Sequence, residues 1–161
     1  MKVILFVFSF LLWVFTLPGQ QNVMTYSDFD VFENEILKRE GDSVYVINFW
    51  ATWCKPCVKE LPYFDRLNEE YLPKKVKVVL VSLDDKRYVS ERLEPFIKNR
   101  AIQSEVVLLG ASDANAWIDR VDPEWSGSIP ATVIYSKRKR VFKEEEFEQY
   151  SDIESIVKSF F

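Results

Sequence analysis

The sequence predicts an α/β protein with a central mixed β-sheet and helices on both faces. Two observations carry that reading. Short apolar, β-branched runs at about 44–50, 76–83 and 105–109 alternate with segments whose apolar residues recur at helical spacing. The chain then closes with two runs, 131–135 and 141–147, on either side of a basic turn, and one more helix. With 161 residues and no internal repeat or linker, it is long enough for one domain with a sizeable core.

Residues 20–25 are polar and read as a loose lead-in. Ser27 or Asp28 caps a first helix with Phe29, Phe32, Ile36 and Leu37 on one face, and Gly41-Asp42 ends it. The strand at 44–50 is followed by a helix over about 55–71, where Val58, Leu61, Phe64, Leu67 and Leu72 form the apolar stripe. Pro62 inside it predicts a kink, because proline lacks the amide donor. After the strand at 76–83, Asp84 or Asp85 caps a helix to about Arg100, with Pro95 a further irregularity. A short strand at 105–109 precedes a helix over about 113–121, and a loop over 122–128 carries Trp125. Ser151 or Asp152 caps the last helix, which presents Ile153, Ile156, Val157 and Phe160.

Composition narrows the function. The net charge is −4, so nothing favours nucleic-acid binding. The two cysteines leave no structural disulfide beside Cys54 and Cys57, and the absence of histidine removes a Cys–His nucleophile and most zinc arrangements. Lys2 precedes an uncharged run from Val3 to Leu17, about 22 Å as a helix and short for a bilayer core. Residues 1–20 therefore read as a signal peptide or an uncleaved N-terminal anchor, and 22–161 as the domain. Without Lys2 the charge of that domain is about −5. No cysteine follows the apolar run, which excludes a bacterial lipoprotein.

The chemistry concentrates in Asn48-Phe49-Trp50-Ala51-Thr52-Trp53-Cys54-Lys55-Pro56-Cys57-Val58-Lys59-Glu60-Leu61-Pro62. A Cys-x-x-Cys pair stands where a strand turns into a helix, and there the free amide groups and the helix dipole favour a thiolate. That combination marks a redox centre. Cys54 stands first and is the expected nucleophile, with Cys57 one turn on as the resolving thiol and Pro56 restraining the loop. A structural disulfide or half of a zinc site is the alternative, but zinc wants four ligands.

Trp-x-x-Trp-Cys-x-Pro-Cys resembles the active site of the thioredoxin superfamily, and Lys59-Glu60-Leu61-Pro62 resembles its TlpA/ResA branch of extracytoplasmic thiol–disulfide oxidoreductases. A second anchor, Ser128-Ile129-Pro130-Ala131-Thr132, resembles the segment where that family has a cis proline against the cysteine pair. The resemblance runs from about Tyr26 to the C-terminus and implies a thioredoxin-like fold. It also implies a role for Glu60 in setting thiol protonation. Glu60 follows Cys57 by one turn, and its charge would oppose Lys55, worth under about 1 kcal/mol in water. A solvated helix glutamate is the plain alternative. Thioredoxins carry a buried aspartate where this sequence has Asn48, which leaves Glu60 as the nearest proton acceptor.

Trp53, Ile129 and Trp125 are candidates for the substrate surface, with Pro130 aligning an incoming peptide as an added strand; a plain trans proline at a strand start is the alternative. Trp50 reads equally as core. Lys137–Arg140 reads as a solvated turn rather than a docking patch, with Glu144–Glu146 balancing it. The resemblance implies a monomeric periplasmic protein-disulfide reductase that needs no soluble cofactor and no metal. It would take electrons from a membrane thiol carrier and act on oxidised proteins such as apocytochrome c, with membrane contact only through a retained N-terminus. A disulfide-inserting oxidase is the first rival, but the interval from Cys57 to Pro130 leaves no room for a large helical insertion. A non-catalytic client-binding or metal-capturing module is the second, and the copper-delivery relatives use a histidine that is absent here. The Cys54 context is unlike a peroxidatic loop.

Overall fold

The computed structural model describes residues 23–111 and 113–161. The expected leader, residues 1–20, lies outside them. Six strands form one mixed sheet: β1 (Met24–Tyr26), β2 (Val44–Trp50), β3 (Val76–Ser82), β4 (Glu105–Leu109), β5 (Ala131–Tyr135) and β6 (Arg140–Lys143), in the order β1-β4-β3-β2-β5-β6. β1, β4, β3 and β2 run parallel, whereas β5 is antiparallel to β2 and β6 to β5. The thioredoxin-like, mixed-sheet expectation is met.

β2 is buried along its whole length, because helices cover both faces of the sheet. Val44, Val46 and Trp50 face one core with helix α2 (Lys55–Tyr71) and helix α5 (Tyr150–Lys158). Tyr45, Ile47 and Phe49 face the other, with Phe29, Phe32 and Ile36 of the first helical segment. That segment comprises α1 (Phe29–Phe32) and a wider π-type turn, Glu33–Leu37, and Asp28 caps it by accepting from the Asp30 amide at 2.7 Å. α2 continues as an α-helix past Pro62 for nine more residues, to Tyr71.

Several local expectations are corrected. Residues 24–26 are not a loose lead-in but the parallel edge strand beside β4, with Met24 opposite Val107. Two of the three residues are exposed, so no alternation advertises them. The helix expected from Asp84 or Asp85 begins as a 3-10 turn, Lys86–Tyr88, capped by Asp85, widens over Val89–Leu93, and is α-helical only in α3 (Glu94–Arg100). The helix expected at 113–121 is a 3-10 turn, Ala114–Ala116, and a single turn α4 (Ile118–Val121). β6 stops at Lys143 because the next residues bind elsewhere, Glu144 to the loop before β5 and the Phe147 amide to Glu60. Gln149, not Ser151 or Asp152, is the N-cap of α5, in a capping box with Asp152.

Candidate active site

Sheet register assembles the site. Phe49 pairs with Ala131, so the C-terminal end of β2 and the residues just before β5 converge. On the other side Trp50 pairs with Ser82, which brings the end of β3 to the loop after β2. Cys54 N-caps α2, and its sulfur accepts from the Cys57 amide at 3.3 Å. Cys54 and Cys57 are joined as a disulfide with Cα atoms 5.3 Å apart. Cys54 is 6% exposed and Cys57 fully buried, so Cys54 is the less buried of the pair. The Ile129–Pro130 bond is cis, and the Ile129 carbonyl oxygen lies 3.7 Å from Cys54 Sγ.

Glu60 is fully buried, which rules out the solvated alternative. One carboxylate oxygen accepts from Asn48 Nδ2 at 3.0 Å and the other from the Phe147 amide at 2.8 Å. Burial nevertheless outweighs these bonds and pushes its pKa up to about 7. Asn48 Nδ2 also donates to Thr132 Oγ1 at 3.0 Å, while its Oδ1 has no hydrogen-bond partner among the described residues. A carboxyl that can exchange a proton near neutral pH thus lies one helical turn beyond Cys57.

The remaining candidates separate. Lys55 and Pro56 are exposed at the helix start, and Trp53 is 68% exposed beside Cys54. Trp53 lines an open groove with Leu83, Asp84, Asp85 and Lys86. Ile129 is half-buried and Pro130 buried. Trp125 is 3% exposed, packed on Phe49 and Trp117, so it is core and not part of the substrate surface, contrary to expectation. Its indole N–H donates to the Ser128 carbonyl at 2.8 Å, which supports the loop from beneath. Trp50 is core, against Phe96. In the turn after β5, Lys137 pairs with Asp42 and Lys139 bonds Ser159, as a solvated turn would.

Two carboxylates escaped the sequence reading. Asp84 is buried and accepts from the Thr52 amide at 3.0 Å, Thr52 Oγ1 at 2.6 Å and Ser82 Oγ at 2.8 Å, which holds the loop leading to Cys54. Glu144 accepts from the amides of Ser126 and Ser128, at 3.0 Å each, in the loop leading to Pro130. An acidic residue directly after a buried strand hints at the first; nothing local distinguishes Glu144 from Glu145 and Glu146.

A cysteine pair at this helix start, beside a cis proline at one end of a mixed sheet, defines a thioredoxin-like protein of the dithiol–disulfide type. Residues 15–143 match the AhpC/TSA family, and the chain belongs to that thioredoxin-like family. It is similar to the thiol-disulfide oxidoreductase ResA of Geobacillus thermodenitrificans, 28% identical over 121 residues, covering 73% of this chain and 62% of the relative. A shorter match, 49% identical over 53 residues, covers 33% of this chain and 27% of ResA from Oceanobacillus iheyensis. The chain thus spans less than two thirds of the length of these curated relatives. Among solved structures, a thioredoxin-related protein from Neisseria meningitidis serogroup B superposes with a TM-score of 0.63 at 22% identity, covering 76% of this chain and 87% of the other. That likeness concerns the fold.

Proposed function

We propose that this protein is an extracytoplasmic enzyme that reduces disulfides in other proteins by dithiol–disulfide exchange. The Cys54 thiolate attacks a substrate disulfide, forms a mixed disulfide and releases one substrate thiolate. Glu60 accepts the Cys57 proton; the Cys57 thiolate attacks Cys54 Sγ, closes the Cys54–Cys57 disulfide and expels the second substrate thiolate. Two electrons pass to the substrate, and a membrane thiol carrier returns them. The observation that carries this reading is the Cys54–Cys57 pair at the start of α2, Cys54 the less buried of the two, with buried Glu60 one turn past Cys57.

Pro130 and Ile129 align the substrate strand, and Trp53 and Pro56 border it. Residues 1–20 act as a signal peptide or anchor and deliver a monomeric domain, 22–161, to the periplasm or its equivalent. Oxidised secreted proteins are its substrates, apocytochrome c among them. The test is the midpoint potential of the 22–161 fragment in defined thiol–disulfide buffers. A value below roughly −220 mV supports a reductase, whereas one near about −120 mV makes it an oxidant and overturns the reading.

A further inference from the structure

The loop that brings Ile129 to Cys54 is anchored by Trp125 at its start, but the three residues after it, Ser126 to Ser128, carry no apolar side chain. Ser126 and Ser128 are exposed, and Gly127 between them adopts φ +93°, where a side chain would be strained. Glu144 supplies the anchorage. One carboxylate oxygen accepts from the Ser126 amide at 3.0 Å; the other accepts from the Ser128 amide at 3.0 Å and from Ser126 Oγ. With Trp125 Nε1 on the Ser128 carbonyl, both peptide groups of Ser128 are held, and the next carbonyl is the one 3.7 Å from Cys54 Sγ. Hairpin register puts Glu144 there, because Lys143 pairs with Thr132 and the following residue falls beside the start of β5. The neighbouring carboxylates are engaged elsewhere, Glu145 with Lys143 and Glu146 with Lys59.

We propose that Glu144 is a positioning residue of the redox centre, which fixes the Ser126–Ser128 loop so that the Ile129 backbone meets an extended peptide disulfide at Cys54. The inference rests on Cys54 being the attacking sulfur, but not on the direction of net electron flow. A substrate peptide that pairs with a preordered backbone has less ordering to pay for on binding. A small disulfide needs only the sulfur. Loss of the carboxylate therefore discriminates between the two.

The test uses the full chain with Cys57→Ser, in which Cys54 exchanges with a disulfide, forms a mixed disulfide and releases one thiolate. Capture rates are measured for a disulfide-linked peptide and for a small aromatic disulfide. Adding Glu144→Ala should lower the peptide-to-small-disulfide rate ratio about tenfold, since small misplacements at a reacting centre carry effects of that order. Glu144→Gln should fall between the parent and Glu144→Ala, because its amide keeps one accepting oxygen for Ser128 N and Ser126 Oγ and turns a donor only toward the Ser126 amide. An unchanged ratio, including a parallel fall of both rates, overturns the proposal. A parent that captures neither disulfide refutes Cys54 as nucleophile instead. In that case amide hydrogen exchange decides the clamp: faster exchange at Ser126 and Ser128 in Glu144→Ala upholds it, and unchanged protection overturns it.

Discussion

Asn48 Nδ2 donates to Glu60 Oε1 at 3.0 Å, joining the central strand to the active-site helix through a wholly buried pair. Because burial raises the Glu60 pKa to about 7 from 4.5, the folded protein keeps a proton that the unfolded chain releases between those values. This contribution to stability is complete below about pH 4.5, declines as pH rises through that window and levels off above about 7, a loss on the order of 3 kcal/mol. Urea unfolding of the oxidised protein at pH 5 and pH 8 reads it directly. Glu60→Gln should lose most of the slope; retention of the slope would place its origin elsewhere.

The orphaned Asn48 Oδ1 bears on the same proton. A protonated Glu60 needs an acceptor, and turning the Asn48 amide over offers Oδ1 to it. Asn48→Ala removes both groups, whose losses act in opposite directions, and the donor is the one in contact with the carboxylate. Since hydrogen bonding to the ionised form lowers a carboxyl pKa, the Glu60 titration should move upward in Asn48→Ala. Carboxyl NMR of the oxidised domain should follow it, and a downward movement would refute the donor role.

Asp84 anchors the loop before Cys54 through three donors. Asp84→Ala should destabilise the fold by about 2 kcal/mol, as buried donors lose their acceptor. Thr52→Val, which removes one donor, should cost about 1 kcal/mol. Because they share an interaction, the double variant should cost less than the sum, and strict additivity in denaturation would show the two to be independent.

The two tryptophans near the cysteines should behave differently. Trp125→Ala opens a cavity under the Pro130 loop and should cost about 3–5 kcal/mol, while Trp125→Phe, losing chiefly the bond to Ser128, should cost about 1 kcal/mol. Trp53 is 68% exposed, so Trp53→Ala should leave stability within about 0.5 kcal/mol and slow capture of peptide disulfides. Thermal unfolding and capture kinetics separate these outcomes.

Periodicity was enough for the elements that carry the site. β2 spans Val44–Trp50 and α2 spans Lys55–Tyr71, close to the bounds their apolar spacing implied. Burial defeats the reading elsewhere. Trp125, placed at the surface because Pro130 is near in sequence, turns inward against Phe49. Residues 24–26 become a strand only because β4 offers an edge. The last helix is capped one position before its first residue, by Gln149, because a side-chain amide there can trade hydrogen bonds with Asp152.

The strand–helix junction with its two cysteines, the proline before β5 and the α/β alternation around them are legible along the chain. These follow from neighbours along the chain: helix-start amides, spacing of apolar residues and the backbone restriction of proline. Packing of distant segments, by contrast, seals Glu60 from water and joins it to the Phe147 amide, 87 residues away. The same packing lets Asp84 hold Thr52 across 32 residues and Glu144 hold Ser126 across 18. An exposed and a buried carboxylate look alike in a one-dimensional string. Their solvation and their donors come from other strands and loops, and sheet register alone brings those within reach.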